Sequence, residues 1–171
     1  MKKGLAEKTV YRDKYEPYPW KLENASFRFE IGEEATRVRS ALQFSSAAPG
    51  DSTSDIELDG QEMQLVSLAM NGRKLEAGDY SLTEDKLLVH NAPDQCALDI
   101  EVLIKPHENT ALEGLYPSGD FLLTQCESEG FSKISYFPDR TDVMTCYDVT
   151  ILADNQRYPV LLSNGNAEDS G

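Results

Sequence analysis

Apolar and polar residues begin to alternate near residue 26 and keep doing so in short runs. In 26–31, Phe27, Phe29 and Ile31 fall on one side and Ser26, Arg28 and Glu30 on the other, the two-residue period of a half-buried strand. Residues 36–44 repeat the pattern through Val38, Leu42 and Phe44. The stretch 47–52, Ala-Ala-Pro-Gly-Asp-Ser, breaks it, and Asp55-Ile56-Glu57-Leu58 resumes it up to Asp59-Gly60. A run over 64–70 carries Leu65, Val66, Leu68 and Met70. Asn71-Gly72 follows, a two-residue hairpin signal because both positions tolerate positive φ. Short strands are predicted at 80–82 and 87–89. The most regular alternation spans 97–105, where Leu98, Ile100, Val102 and Ile104 oppose Asp99, Glu101 and Lys105.

The texture changes at Pro106. Residues 106–131 are rich in Gly, Asn, Glu and Ser and lack a period, which predicts a long ordered loop with one helical turn. Strands are expected again at 133–137, 143–152 and 158–162. Residues 1–20, polar and Tyr-rich with Pro17 and Pro19, read as an extended arm ahead of a single domain over 21–171. No segment sustains a 3.6-residue period. The expected fold is therefore all-β: a saddle-like sandwich of mostly antiparallel strands. After the run at 158–162, Asn164-Gly165 is a hairpin signal with no returning strand. Either the chain is cut near this edge inside a longer protein, or the tail is frayed.

Charge narrows the partners. With 30 acidic against 16 basic residues the net charge is −14, which repels phosphate backbones and argues against nucleic acid. There is no apolar run long enough to span a membrane and no apolar core of a signal peptide near Met1, so a cytoplasmic protein without membrane partners is expected. Cys96, Cys126 and Cys146 are widely spaced, form no C-x-x-C pair and read as reduced thiols.

Most candidate chemistry dissolves on inspection. His107-Glu108 opens an H-E-x-x-H zinc motif, but Ala111 stands where the second histidine is needed. Asp55-x-Glu57-x-Asp59-Gly60 resembles a calcium loop, but Val66 stands where a bidentate Glu belongs, and the acids read as the wet face of a strand. Cys126 has no histidine near it in sequence to act as base. Neither metal ligands nor catalytic residues are expected in this chain. The segment 124–131, Thr-Gln-Cys-Glu-Ser-Glu-Gly-Phe, puts an amide and two carboxylates on a Gly- and Ser-punctuated loop. It reads either as a cation-recognition loop or as solvated acids beside a helix start.

At that loop a resemblance emerges. Residues 109–116 (Asn-Thr-Ala-Leu-Glu-Gly-Leu-Tyr), 124–131, 139–143 (Asp-Arg-Thr-Asp-Val) and 158–166 follow one another in an order that resembles the amino-terminal domain of the bacterial aminopeptidase N family of zinc peptidases, also described as alanyl aminopeptidases. The likeness covers residues 10–166. Its one noted departure is Thr141, where the family more often has proline. The resemblance implies a parent hydrolase that removes amino-terminal residues from peptides. It also implies that zinc and the catalytic groups belong to a following catalytic domain of the same polypeptide, leaving this fragment inactive by itself. By position, Gln125 and Glu127 would be substrate-binding residues, with Glu127 holding the peptide's free α-ammonium. Peptides and the catalytic domain are then the expected partners, with self-association through exposed sheet edges when the domain stands alone. The competing expectation is a free-standing β-sandwich module that binds peptides or serves as a scaffold.

Overall fold

The computed structural model describes residues 11–50 and 54–169. Among the described residues eleven strands are formed: β1 (Trp20–Ile31), β2 (Thr36–Ser46), β3 (Ser54–Asp59), β4 (Gln64–Met70), β5 (Arg73–Lys74), β6 (Tyr80–Leu82), β7 (Lys86–Ala92), β8 (Gln95–Ile104), β9 (Gly114–Ser118), β10 (Phe121–Gln125) and β11 (Cys146–Leu152). Six make one sheet in the order β11-β1-β2-β8-β4-β5. A second sheet runs β3-β7-β6, and β9 and β10 form a separate hairpin. All pairings are antiparallel except β1 with β11.

The core lies between the two larger sheets. Val38, Leu42 and Phe44 of β2 and Leu98, Ile100, Val102 and Ile104 of β8 are buried, as their alternation predicts. Against them pack Ile56 and Leu58 of β3 and Leu87 and Val89 of β7, with no measurable exposure. Among the described residues three register shifts interrupt the ladders, one of them in the β3–β7 pair between Ser54 and Ile56. In β1 the register skips Glu23, so the buried positions change from Trp20 and Leu22 to Ala25 and Phe27. In β4 it skips Val66. Leu65 and Leu68, three apart, then share the inner side while Val66 turns outward. At the β4–β5 turn, Asn71 and Gly72 take φ of 52° and 77°, the conformation expected of a two-residue hairpin.

Four expectations need correction. Segment 106–131 is not one loop, since it holds the β9–β10 hairpin, turning at Gly119 with φ of 61°. Segment 133–137 is not a strand: a 3-10 turn covers Phe131–Lys133, and only Phe137 makes a bridge, to Asp59. Ile134, Ser135, Tyr136 and Phe137 are all buried, so the segment is apolar because it is wedged into the core. Residues 158–162 form no strand, and Val160 and Leu162 are exposed. The arm boundary also moves, because β1 starts at Trp20, whose ring is buried against Phe44.

Of the arm, residues 1–10 lie outside the described residues. The remainder makes a 3-10 turn at Arg12–Lys14 and is then latched down. Tyr15 OH donates to Asp142 Oδ2 (2.8 Å), and Arg140 Nη2 donates to the Glu16 carbonyl (2.8 Å). Among the described residues, no helix is long and apolar enough to cross a membrane.

Candidate substrate-anchoring loop

The loop that carries Gln125 and Glu127 is built on the β9–β10 hairpin. Gln125 closes that ladder opposite Gly114. The chain then turns through 127–130, and the Gly130 amide donates to the Cys126 carbonyl at 3.0 Å. Glycine is required at 130 because a Cβ would sit 2.9 Å from the Gln125 carbonyl oxygen and 3.0 Å from Cys126 Cα. The Glu127–Ser128 peptide is cis.

Packing fixes the base of this turn. The Phe131 ring meets Phe27 edge-on at 4.9 Å and Phe137 at 5.1 Å, which ties the loop to the six-stranded sheet. The Ser132 amide donates to Asp139 Oδ2 (2.7 Å), and the Ser132 carbonyl accepts from the Gln61 amide (2.8 Å). The Asp139 amide in turn donates to Asp59 Oδ2 (3.1 Å), and Asp59 is also paired with Lys86 (2.6 Å). Burial raises the Asp139 carboxyl above its ordinary value.

The tip is exposed. Gln125, Glu127, Ser128 and Glu129 all face solvent. The structure brings the two predicted site residues together: Gln125 Nε2 donates to the Glu127 carbonyl at 3.4 Å. Among the described residues, the Glu127 carboxylate makes no ion pair or hydrogen bond. A rigid base thus presents an uncommitted carboxylate beside a primary amide, a pair able to accept from and orient a small cation. Glu129 lies elsewhere. It lines a cleft of about 380 Å³ with Tyr18, Lys86, Asp139 and Arg140, which Glu127 does not line.

The other candidates separate. Cys126 is half-buried, and burial, with a smaller push from Asp139, raises its thiol to about 11, so it is a poor nucleophile at neutral pH. Glu57 and Asp59 are committed to Lys86 at 2.7 and 2.6 Å, and Asp55 faces His90. His107 is exposed on the 3-10 turn Pro106–Glu108. Among the described residues, no three His, Cys, Asp or Glu side chains converge as metal ligands, so a zinc ion does not fit this chain's own residues. Sequence reading missed the latch of Tyr15 and Tyr18 onto Asp142, whose partners stand more than 120 positions apart.

Comparison with known proteins decides the lineage. The chain is 43% identical to aminopeptidase N of Caulobacter vibrioides over 157 residues, which is 92% of this chain and 18% of that protein. The chain belongs to the aminopeptidase N family. It corresponds to the amino-terminal part of those proteins and spans about a fifth of the curated relatives' length. A crystal structure of Legionella pneumophila aminopeptidase A in complex with aspartic acid superposes with a TM-score of 0.83 at 35% identity, covering 90% of this chain and 18% of that one. A zinc metallopeptidase from Deinococcus radiodurans shares the fold with a TM-score of 0.64 at 14% identity, covering 78% of this chain and 32% of that one. No family profile matches the chain.

Proposed function

We propose that this chain serves as the amino-terminal domain of a zinc aminopeptidase, and that its part in the reaction is to hold the substrate's free amino terminus. The observation that carries this reading is the Glu127 carboxylate, exposed and unpaired among the described residues on a loop whose base is fixed. A carboxylate at such a point rewards a free α-ammonium and rejects a blocked amine. Gln125 adds an amide beside it. Bond breaking, with the zinc ion, is assigned to the part of the relatives' length that this chain does not span.

Three free thiols, one of them exposed, suit a reducing cytoplasm. The outer edge of β11 and the exposed Met144, Tyr147 and Leu162 suit contact with a neighbouring domain. Left uncovered, they favour self-association. Sedimentation of the 171-residue chain should then show concentration-dependent oligomers.

The functional test is a chromogenic aminoacyl anilide. The polypeptide encoded by the complete gene should hydrolyse it in a zinc-dependent manner, and the 171-residue chain should not. A gene ending at Gly171, or an inactive complete product, would overturn the reading.

A further inference from the structure

On the outer face of the β3-β7-β6 sheet, far in sequence from the Glu127 loop, three side chains connect one strand to the next. Ser81 Oγ of β6 lies 2.8 Å from His90 Nε2 of β7, and His90 Nδ1 lies 3.0 Å from Asp55 Oδ2 of β3. They face outward because their neighbours face inward: Ile56, Leu87 and Val89 are fully buried, and side chains alternate along a strand. Ser81 is exposed, and the His90 side chain keeps 25% of its surface.

The roles within the set follow from hydrogen-bond inventory. An ionised carboxylate only accepts. Asp55 Oδ1 already accepts the Asn91 amide at 3.1 Å, and Oδ2 faces the imidazole. The hydrogen bond from His90 holds the Asp55 carboxyl below its ordinary value. His90 Nδ1 therefore carries the ring proton. In the neutral imidazole, Nε2 is left with its lone pair toward the Ser81 hydroxyl, which donates to it. Nucleophile, base and orienting acid thus stand in hydrogen-bond sequence.

We infer that Ser81, served by His90 and oriented through Asp55, is an acyl-accepting nucleophile for small activated esters, a site separate from the amino-terminus anchor and independent of it. Ser81 Oγ attacks the ester carbonyl carbon while its proton passes to His90 Nε2. The bond from that carbon to the alcohol oxygen breaks, and the leaving oxygen takes the proton from Nε2. Water, deprotonated by the same nitrogen, then releases the carboxylic acid and restores the serine. Leu88 pairs with Ser81 across the ladder, shares its face and is half-buried, which offers an apolar contact for a short acyl chain.

The test uses the chain itself with p-nitrophenyl acetate and, separately, an alkyl fluorophosphonate, followed by peptide mapping by mass. A single adduct is expected on Ser81, in excess over exposed serines such as Ser128 that have no imidazole partner. Ser81→Ala should abolish the adduct. His90→Gln should slow its formation by about 10²-fold, the lower end of general-base contributions. Wild-type chain with Ser81 unmodified overturns the inference whatever the variants do. So does a folded His90→Gln chain, checked by its thermal midpoint, that labels Ser81 at the wild-type rate.

Discussion

The ring of Tyr136 occupies the space that a side chain at position 60 would need: a Cβ on Gly60 would lie 2.2 Å from Tyr136 Cδ1. Gly60 directly follows β3, and Tyr136 belongs to the buried segment that follows the Glu127 loop, so this contact sets how closely loop and sheet approach. Their chain neighbours Asp59, just before Gly60, and Phe137, just after Tyr136, exchange backbone hydrogen bonds at 2.8 and 3.0 Å. Gly60→Ala should therefore destabilise the chain by about 1–3 kcal/mol, the usual penalty for overpacking a filled core. Urea unfolding should show this as a lowered midpoint with an unchanged slope.

The arm latch has an acid-range signature. Asp142 accepts two hydrogen bonds from Arg140 (2.8 and 2.9 Å) and one from Tyr15 OH (2.8 Å), and chiefly through Arg140 its carboxyl is held far below the usual range. A carboxyl depressed in the folded state adds stability that is complete above its unfolded value of about 4 and is lost as pH falls toward the folded value. Asp139, shifted the opposite way, is present in both proteins and cancels in a difference. The gap in thermal midpoint between wild type and Asp142→Asn should be constant from pH 7 to 5 and shrink between pH 4 and 2. A gap unchanged at pH 2 would contradict the latch.

Thiol reactivity should follow burial. Cys146 is exposed, whereas burial raises both the Cys96 and the Cys126 thiols to about 11. With iodoacetamide at pH 8, mass mapping should find Cys146 alkylated first and the other two only on unfolding. Early modification of Cys126 would contradict its placement beneath the loop.

What the sequence reveals here is periodicity, and periodicity fails where burial is not one-sided. β2 and β8 are flanked on both edges and buried on one face, so Val38 through Phe44 and Leu98 through Ile104 announce them. At Glu23 and Val66 the bulges break the period, which shortens the predicted β1 and blurs β4. Residues 134–137 are buried on every side, so apolarity there says nothing of strand or turn. The β9–β10 hairpin is hidden because Phe121 is 59% exposed while Leu115 is buried, leaving little alternation to detect. Gln125 and Glu127 stand out as candidates only through family resemblance, since the composition of 124–131 fits solvated acids equally well. The Ser81–His90–Asp55 set was not legible at all, because its members come from three strands and meet only once the sheet has formed.

The anchoring role proposed for Glu127 is tested most directly by Glu127→Gln in the polypeptide encoded by the complete gene, measured as kcat/KM on a peptide with a free amino terminus. A charge-assisted hydrogen bond lost without loss of shape corresponds to about a 10²-fold fall. Because the carboxylate has no partner among the described residues, the thermal midpoint should not move. An unchanged kcat/KM, or a fall accompanied by matching destabilisation, would contradict the account.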